Sequence, residues 1–225
     1  MTPTVDDFQA LARSSPWLWS TLHFRHRSRF AGDCEAWVRR PGELVVRTSD
    51  GREVRESGLP YTRSAPMSAV AEGAELVLPP APVLPHEATP VRRPDGLVLE
   101  RPERTFEVDY DDPMYQNYSW VAMLDPVELS HHVEVLDLRA GEVAGRTAWW
   151  ASVRALEDYD PRCACCALVW SAISDSYEYD EPPQRDYPDH YDVALDVQTG
   201  VVVRCHPVGG DPAASWLEND ILEVG

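Results

Sequence analysis

Few local patterns leave a backbone as little choice as Asp196-Val197-Gln198-Thr199-Gly200, set between the apolar runs Ala194-Leu195 and Val201-Val202-Val203. Gly200 accepts the positive φ of a tight turn, and the Asp196 side chain can bond its own backbone a few residues on. The segment therefore reads as a hairpin that returns along a strand to Arg204. About 45 residues earlier, Gly145-Arg146-Thr147-Ala148-Trp149-Trp150 reads as another strand. Together the two predict an antiparallel sheet with a concave, apolar inner face. The fold class is α+β, mostly antiparallel β: an incomplete (half) barrel covered by a few short helices.

The chain of 225 residues is 44% hydrophobic, enough for a substantial core, while its 20 prolines argue against a mostly helical protein. We read one domain over 1–225, with a Pro-rich excursion at about 57–96. The formal net charge of −18 opposes binding to nucleic acid or to an anionic membrane surface, both of which need clustered basic side chains. A basic protein partner is the better match. Asp6 and Asp7 stand where a signal peptide would carry basic residues, and no run approaches a membrane span. The expectation is a soluble, cytoplasmic protein whose five cysteines are reduced.

Thr4 and Asp7 are placed to cap a short helix with Val5, Phe8, Leu11 and Ala12 on one face, stopped at Pro16. A meander follows: Thr21–Arg27, Cys34–Arg39, Leu44–Arg47 and Arg52–Arg55, with turns at Arg40-Pro41-Gly42 and Ser49-Asp50-Gly51. Within the excursion we expect a helical piece at Met67–Glu72, and packing of Leu76-Val77-Leu78 on the sheet. Strands are expected at Leu97–Glu100 and Thr105–Val108. Asp112-Pro113 is expected to open a helix to Leu124, ended by Asp125-Pro126, with a helical turn through Leu129. Strands resume at Val133–Leu138 and Thr147–Leu156, and the chain beyond the hairpin reads as a tail ending near Trp216.

This order of features resembles the superfamily of LolA-like lipoprotein carriers and RseB-like sigma-factor regulators. The residues that carry the resemblance are Trp37–Gly42, Leu124-Asp125-Pro126, Gly145-Arg146-Thr147-Ala148 and Asp196–Arg204. It implies a half-barrel whose apolar concavity holds an acyl chain or a peptide segment. Those families are exported or lipid-anchored, whereas this chain shows no export signal.

Two groups of residues are candidates for function. Eight tryptophans are many for this length, and Trp37, Trp120, Trp149 and Trp150 fall on the sheet and its covering helix. They are the candidate lining for an apolar small molecule, lipid or peptide. Trp149 and Trp150 are adjacent in a strand and must point to opposite faces. The second group is Cys163, Cys165 and Cys166, with Cys205 and His206 on a later strand. Three thiols within four residues offer soft ligands, and Cys205 or His206 could complete a tetrahedral zinc site if the strands meet. His131-His132 with Glu134 hints at metal, but no third ligand can be located. No nucleophile elbow, phosphate-binding loop or dinucleotide fingerprint occurs, so binding is expected rather than catalysis. The two readings are a non-enzymatic holder of an apolar ligand and a zinc-stabilised interaction scaffold.

Overall fold

The computed structural model of the chain describes residues 2–57, 83–102, 108, 110, 112–181 and 183–225. The expected helix at Met67–Glu72 and the packing of Leu76–Leu78 lie outside the described residues, as does most of the expected strand at Thr105–Val108. Val108 itself forms an isolated bridge with Val83.

Helix α1 (Val5–Ser14) starts in a capping box, in which Asp7 N–H donates to Thr4 Oγ1 and Thr4 N–H donates to the Asp7 carboxylate. Phe8, Leu11 and Ala12 are buried on one face, as the spacing predicts, whereas Val5, expected to join them, is exposed in the first turn. The meander is β1 (Thr21–Ser28), β2 (Gly32–Arg39), β3 (Glu43–Thr48) and β4 (Glu53–Ser57). A two-stranded ribbon of β5 (Val91–Arg92) and β6 (Val98–Glu100) follows, and then the short helix α2 (Ser119–Leu124). The second half holds β7 (Val133–Val143), β8 (Arg146–Ala155), the one-turn helix α3 (Ala172–Asp175), β9 (His190–Asp196), β10 (Val202–Val208) and β11 (Leu217–Val224).

Nine strands form one antiparallel sheet in the order β4-β3-β2-β1-β11-β10-β9-β8-β7, open at both edges. It is the half-barrel-like sheet, with few short helices, that the sequence pattern predicts. Its inner face is apolar: Leu22, Phe24, Ala36, Val38, Val153, Tyr191, Val193 and Leu195 are all at most 2% exposed. α1 and α2 lie on this face and fill it with Phe8, Leu11, Trp120, Met123 and Leu124. No helix of the described residues is long and apolar enough to cross a membrane.

The hairpin between β9 and β10 shows why its sequence is so constrained. Asp196 Oδ1 accepts both the backbone N–H and the hydroxyl of Thr199, and Arg146 grips the same carboxylate through two nitrogens. Gly200 has φ of 70°, and a Cβ there would stand 2.8 Å from the Leu11 carbonyl oxygen. The turn is thus packed against the end of α1, where only glycine fits.

Two expectations need correction. The helix expected from Asp112 begins only at Ser119. Asp112 does not cap it, because its carboxylate accepts two hydrogen bonds from Arg40, at 2.8 and 2.7 Å. Asn117 instead takes the Ser119 N–H at the helix entrance. Nor does the chain end in a tail near Trp216. Leu217–Val224 is β11, the strand that joins the two halves of the sheet. Its inner row carries Asn219 between Leu217 and Ile221, which hides the alternation. Asn219 is satisfied there by the His26 imidazole at 2.8 Å and the Val202 carbonyl at 2.6 Å.

Candidate metal centre

The loop that leaves β8 and leads to α3 is tied down by two buried carboxylates on the segment that follows α2. Glu128, on the turn Val127–Ser130, is 1% exposed. Its Oε1 accepts the Tyr159 hydroxyl at 2.6 Å and the Leu168 N–H at 2.7 Å, and its Oε2 accepts the Arg162 N–H at 3.0 Å. Asp125, fully buried, receives Arg101 through two nitrogens and Arg162 through one at 2.5 Å. The two acids differ in charge balance. Burial raises the Glu128 pKa, and its hydrogen bonds offset this only in part. Burial opposes ionisation of Asp125 too, but Arg101 and Arg162 outweigh it and hold that carboxyl below the usual range.

Arg162 and Leu168 bracket the turn that carries the thiols. The turn Ala164–Cys166 is closed by Cys166 N–H donating to the Cys163 carbonyl at 3.1 Å. This curls Cys163, Cys165 and Cys166 so that their Sγ atoms all lie within 4.8 Å of one another. The Cys163–Cys165 and Cys165–Cys166 sulfur distances are 3.3 and 3.6 Å. Zn–S bonds of about 2.3 Å would place tetrahedral sulfurs about 3.8 Å apart, so only a small adjustment separates this arrangement from a coordinating one. Burial first, then the adjoining sulfurs, push the Cys163 thiol up to about 12. Burial also raises Cys166, while the Tyr118 backbone N–H pulls in the other direction.

Cys165 and Cys166 open onto a groove of about 700 Å³ whose other walls include Phe30, Trp170, Arg185, Asp186 and Asp211. Trp170 is fixed by its Nε1–H donating to Asp175 at 2.9 Å and by Tyr187, whose ring centroid lies 4.8 Å away. Among the described residues, the three cysteines are the only group of three or more His, Cys, Asp or Glu ligand atoms close enough to share an ion.

Cys205 and His206 do not join them, which corrects the expected ligand set. Being adjacent on β10, they point to opposite faces. The Cys205 thiol is 2% exposed and donates to the Leu168 carbonyl at 3.4 Å. His206 lies on the outer face, 3.1 Å from Glu218 and stacked on Trp216. Cys205 thus holds the end of the thiol-bearing loop rather than completing its ligand set. His132 pairs with Asp158 at 2.5 Å, and His131 with Ser130 at 3.0 Å.

The four tryptophans are not gathered in one place either. Trp120 is buried among Phe24, His26 and Tyr115, and its Nε1 has no hydrogen-bond partner among the described residues. Trp37 lies on the outer face of the sheet, stacked on His23 at 4.6 Å. Trp149 shares its face with Ala151 and Val153, whereas Trp150 faces outward beneath the Arg139 guanidinium, 5.4 Å from the ring centre. Sequence reasoning missed Asp125 and Glu128. The available signal was two acids embedded among Leu124, Pro126, Val127 and Leu129. No family model, curated protein or solved structure matches the chain.

Proposed function

We propose that this chain is a non-enzymatic zinc-binding interaction module. Cys163, Cys165 and Cys166 are its metal ligands, and the adjoining groove is its docking face. One observation carries the reading: three sulfurs from one tight turn stand within reach of a single ion. Soft thiolates favour zinc over magnesium or calcium, and three protein ligands leave a tetrahedral ion with one position to fill. A basic partner fits the net charge of −18 and the Asp186 and Asp211 side chains on the groove wall. The alternative placement of an apolar ligand in the concave face competes for space already taken by Phe8, Leu11, Trp120, Met123 and Leu124. The test is titration of the reduced, metal-free protein with cobalt(II) as a coloured substitute for zinc. Intense sulfur-to-cobalt absorption at one equivalent, lost in Cys165→Ser, is the expected result. Absence of that absorption together with no retained zinc defeats the reading.

A further inference from the structure

We infer that the thiol turn is a preformed, open-sided site, and that its zinc is an exchangeable ion rather than a structural staple. The inference rests on the zinc-binding reading. A metal staple stabilises a fold chiefly by joining segments far apart in the chain, since the entropy removed from the unfolded state grows with the loop closed. Here the ligands span only Cys163 to Cys166, so an ion bound to them closes almost no loop.

The loop also has its own anchors. Glu128 takes the N–H groups of Arg162 and Leu168, on either side of the thiols, and the Tyr159 hydroxyl. Asp125 takes the Arg162 guanidinium, and Cys205 takes the Leu168 carbonyl. These contacts set the turn before any ion arrives. Glu128 is accordingly a positioning residue: it touches no ligand atom but fixes both flanks of the ligand-bearing turn. Such outer partners commonly contribute roughly 10- to 100-fold to metal affinity.

The open side completes the argument. Cys165 is exposed, and Cys165 and Cys166 face the groove, so a competing donor can reach the ion without the loop unfolding. On uptake each thiol gives its proton to solvent and its sulfur lone pair to the ion; on exchange the incoming donor takes the fourth position before the sulfurs leave.

The test uses the full chain with one equivalent of zinc and the chromogenic chelator 4-(2-pyridylazo)resorcinol. The expected result is a release rate that rises in proportion to chelator concentration, with a near-ultraviolet circular dichroism spectrum unchanged between zinc-free and zinc-loaded protein. In Glu128→Gln, zinc affinity falls roughly 10- to 100-fold. The remote buried variant Asp196→Asn leaves affinity unchanged and so separates positioning from general destabilisation. A slow release rate independent of chelator, or loss of the near-ultraviolet spectrum on zinc removal, overturns the inference while leaving zinc binding intact. Failure to take up zinc at all overturns both.

Discussion

The five cysteines occupy two environments that differ in how backbone geometry treats neighbours. Cys163, Cys165 and Cys166 sit on a tight turn, which gathers residues close in sequence onto one side. Cys34 and Cys205 sit on strands, which send each residue and its neighbour to opposite faces. Both strand thiols are buried, and burial raises the pKa of each, Cys34 to about 11. Cys205 is next to a histidine in sequence and cannot share an ion with it in space; Cys163 and Cys166 are three apart and can. Metal-binding potential here follows the local backbone, not the abundance of ligand types.

The sharpest way to break this contrast is to replace Cys163, Cys165 and Cys166 together with serine. Zinc uptake should fall from one equivalent to none by native mass spectrometry, while stability changes by less than about 1 kcal/mol in urea titration. Retention of zinc would mean that the strand thiols or other groups bind it. Next in size is Glu128→Ala, which strands the Tyr159 hydroxyl and the Arg162 and Leu168 N–H groups. It should lower stability by about 3 kcal/mol, read as a drop in the urea midpoint. A change under about 1 kcal/mol would show that the loop is not anchored there. Cys205→Ala should cost about 2 kcal/mol by opening a small cavity and leaving the Leu168 carbonyl unpaired. Its zinc stoichiometry should stay at one equivalent, and a loss would restore Cys205 to the ligand set.

The smallest effect concerns His26, buried beside Asn219, whose pKa burial depresses. Because the unfolded chain takes up this proton first, the folded state should lose stability as pH falls below the ordinary histidine value of about 6.5. The loss continues down to the folded pKa. Glu128, raised by burial, works in the opposite direction, losing stability as pH rises from the ordinary glutamate value of about 4.5 through its folded pKa. The urea midpoint at pH 5.5 should therefore rise relative to that at pH 7.5 in His26→Gln, compared with the parent chain. An unchanged difference would show that His26 is not the titrating group.

What was legible in the sequence was local. The helix cap at Thr4, the meander turns, the Asp196–Gly200 hairpin and the crowded thiols all arise from interactions within a few residues. What was hidden depends on partners distant in the chain. Asp112 looks like a helix cap until Arg40, 72 residues away, takes its carboxylate. β11 looks like a tail because Asn219 interrupts its apolar row, and only His26, 193 residues away, explains that asparagine. Asp125 and Glu128 read as a helix terminus, yet their role is set by Arg101, Tyr159, Arg162 and Leu168. The opposite faces of Cys205 and His206 were derivable from strand alternation; the lysine-free acidic composition gave no help with either site.

The position of β11 also shapes the order in which the molecule can be assembled. Four strands lie on either side of it, β4-β3-β2-β1 and β10-β9-β8-β7. Each set consists of sequence neighbours and can pair as soon as it leaves the ribosome. The strand that joins them is translated after all the others, so both halves must wait with an unpaired edge, β1 on one side and β10 on the other. A nascent chain stalled before Leu217 would expose two adhesive edges at once, and would need protection until Leu217–Val224 arrives.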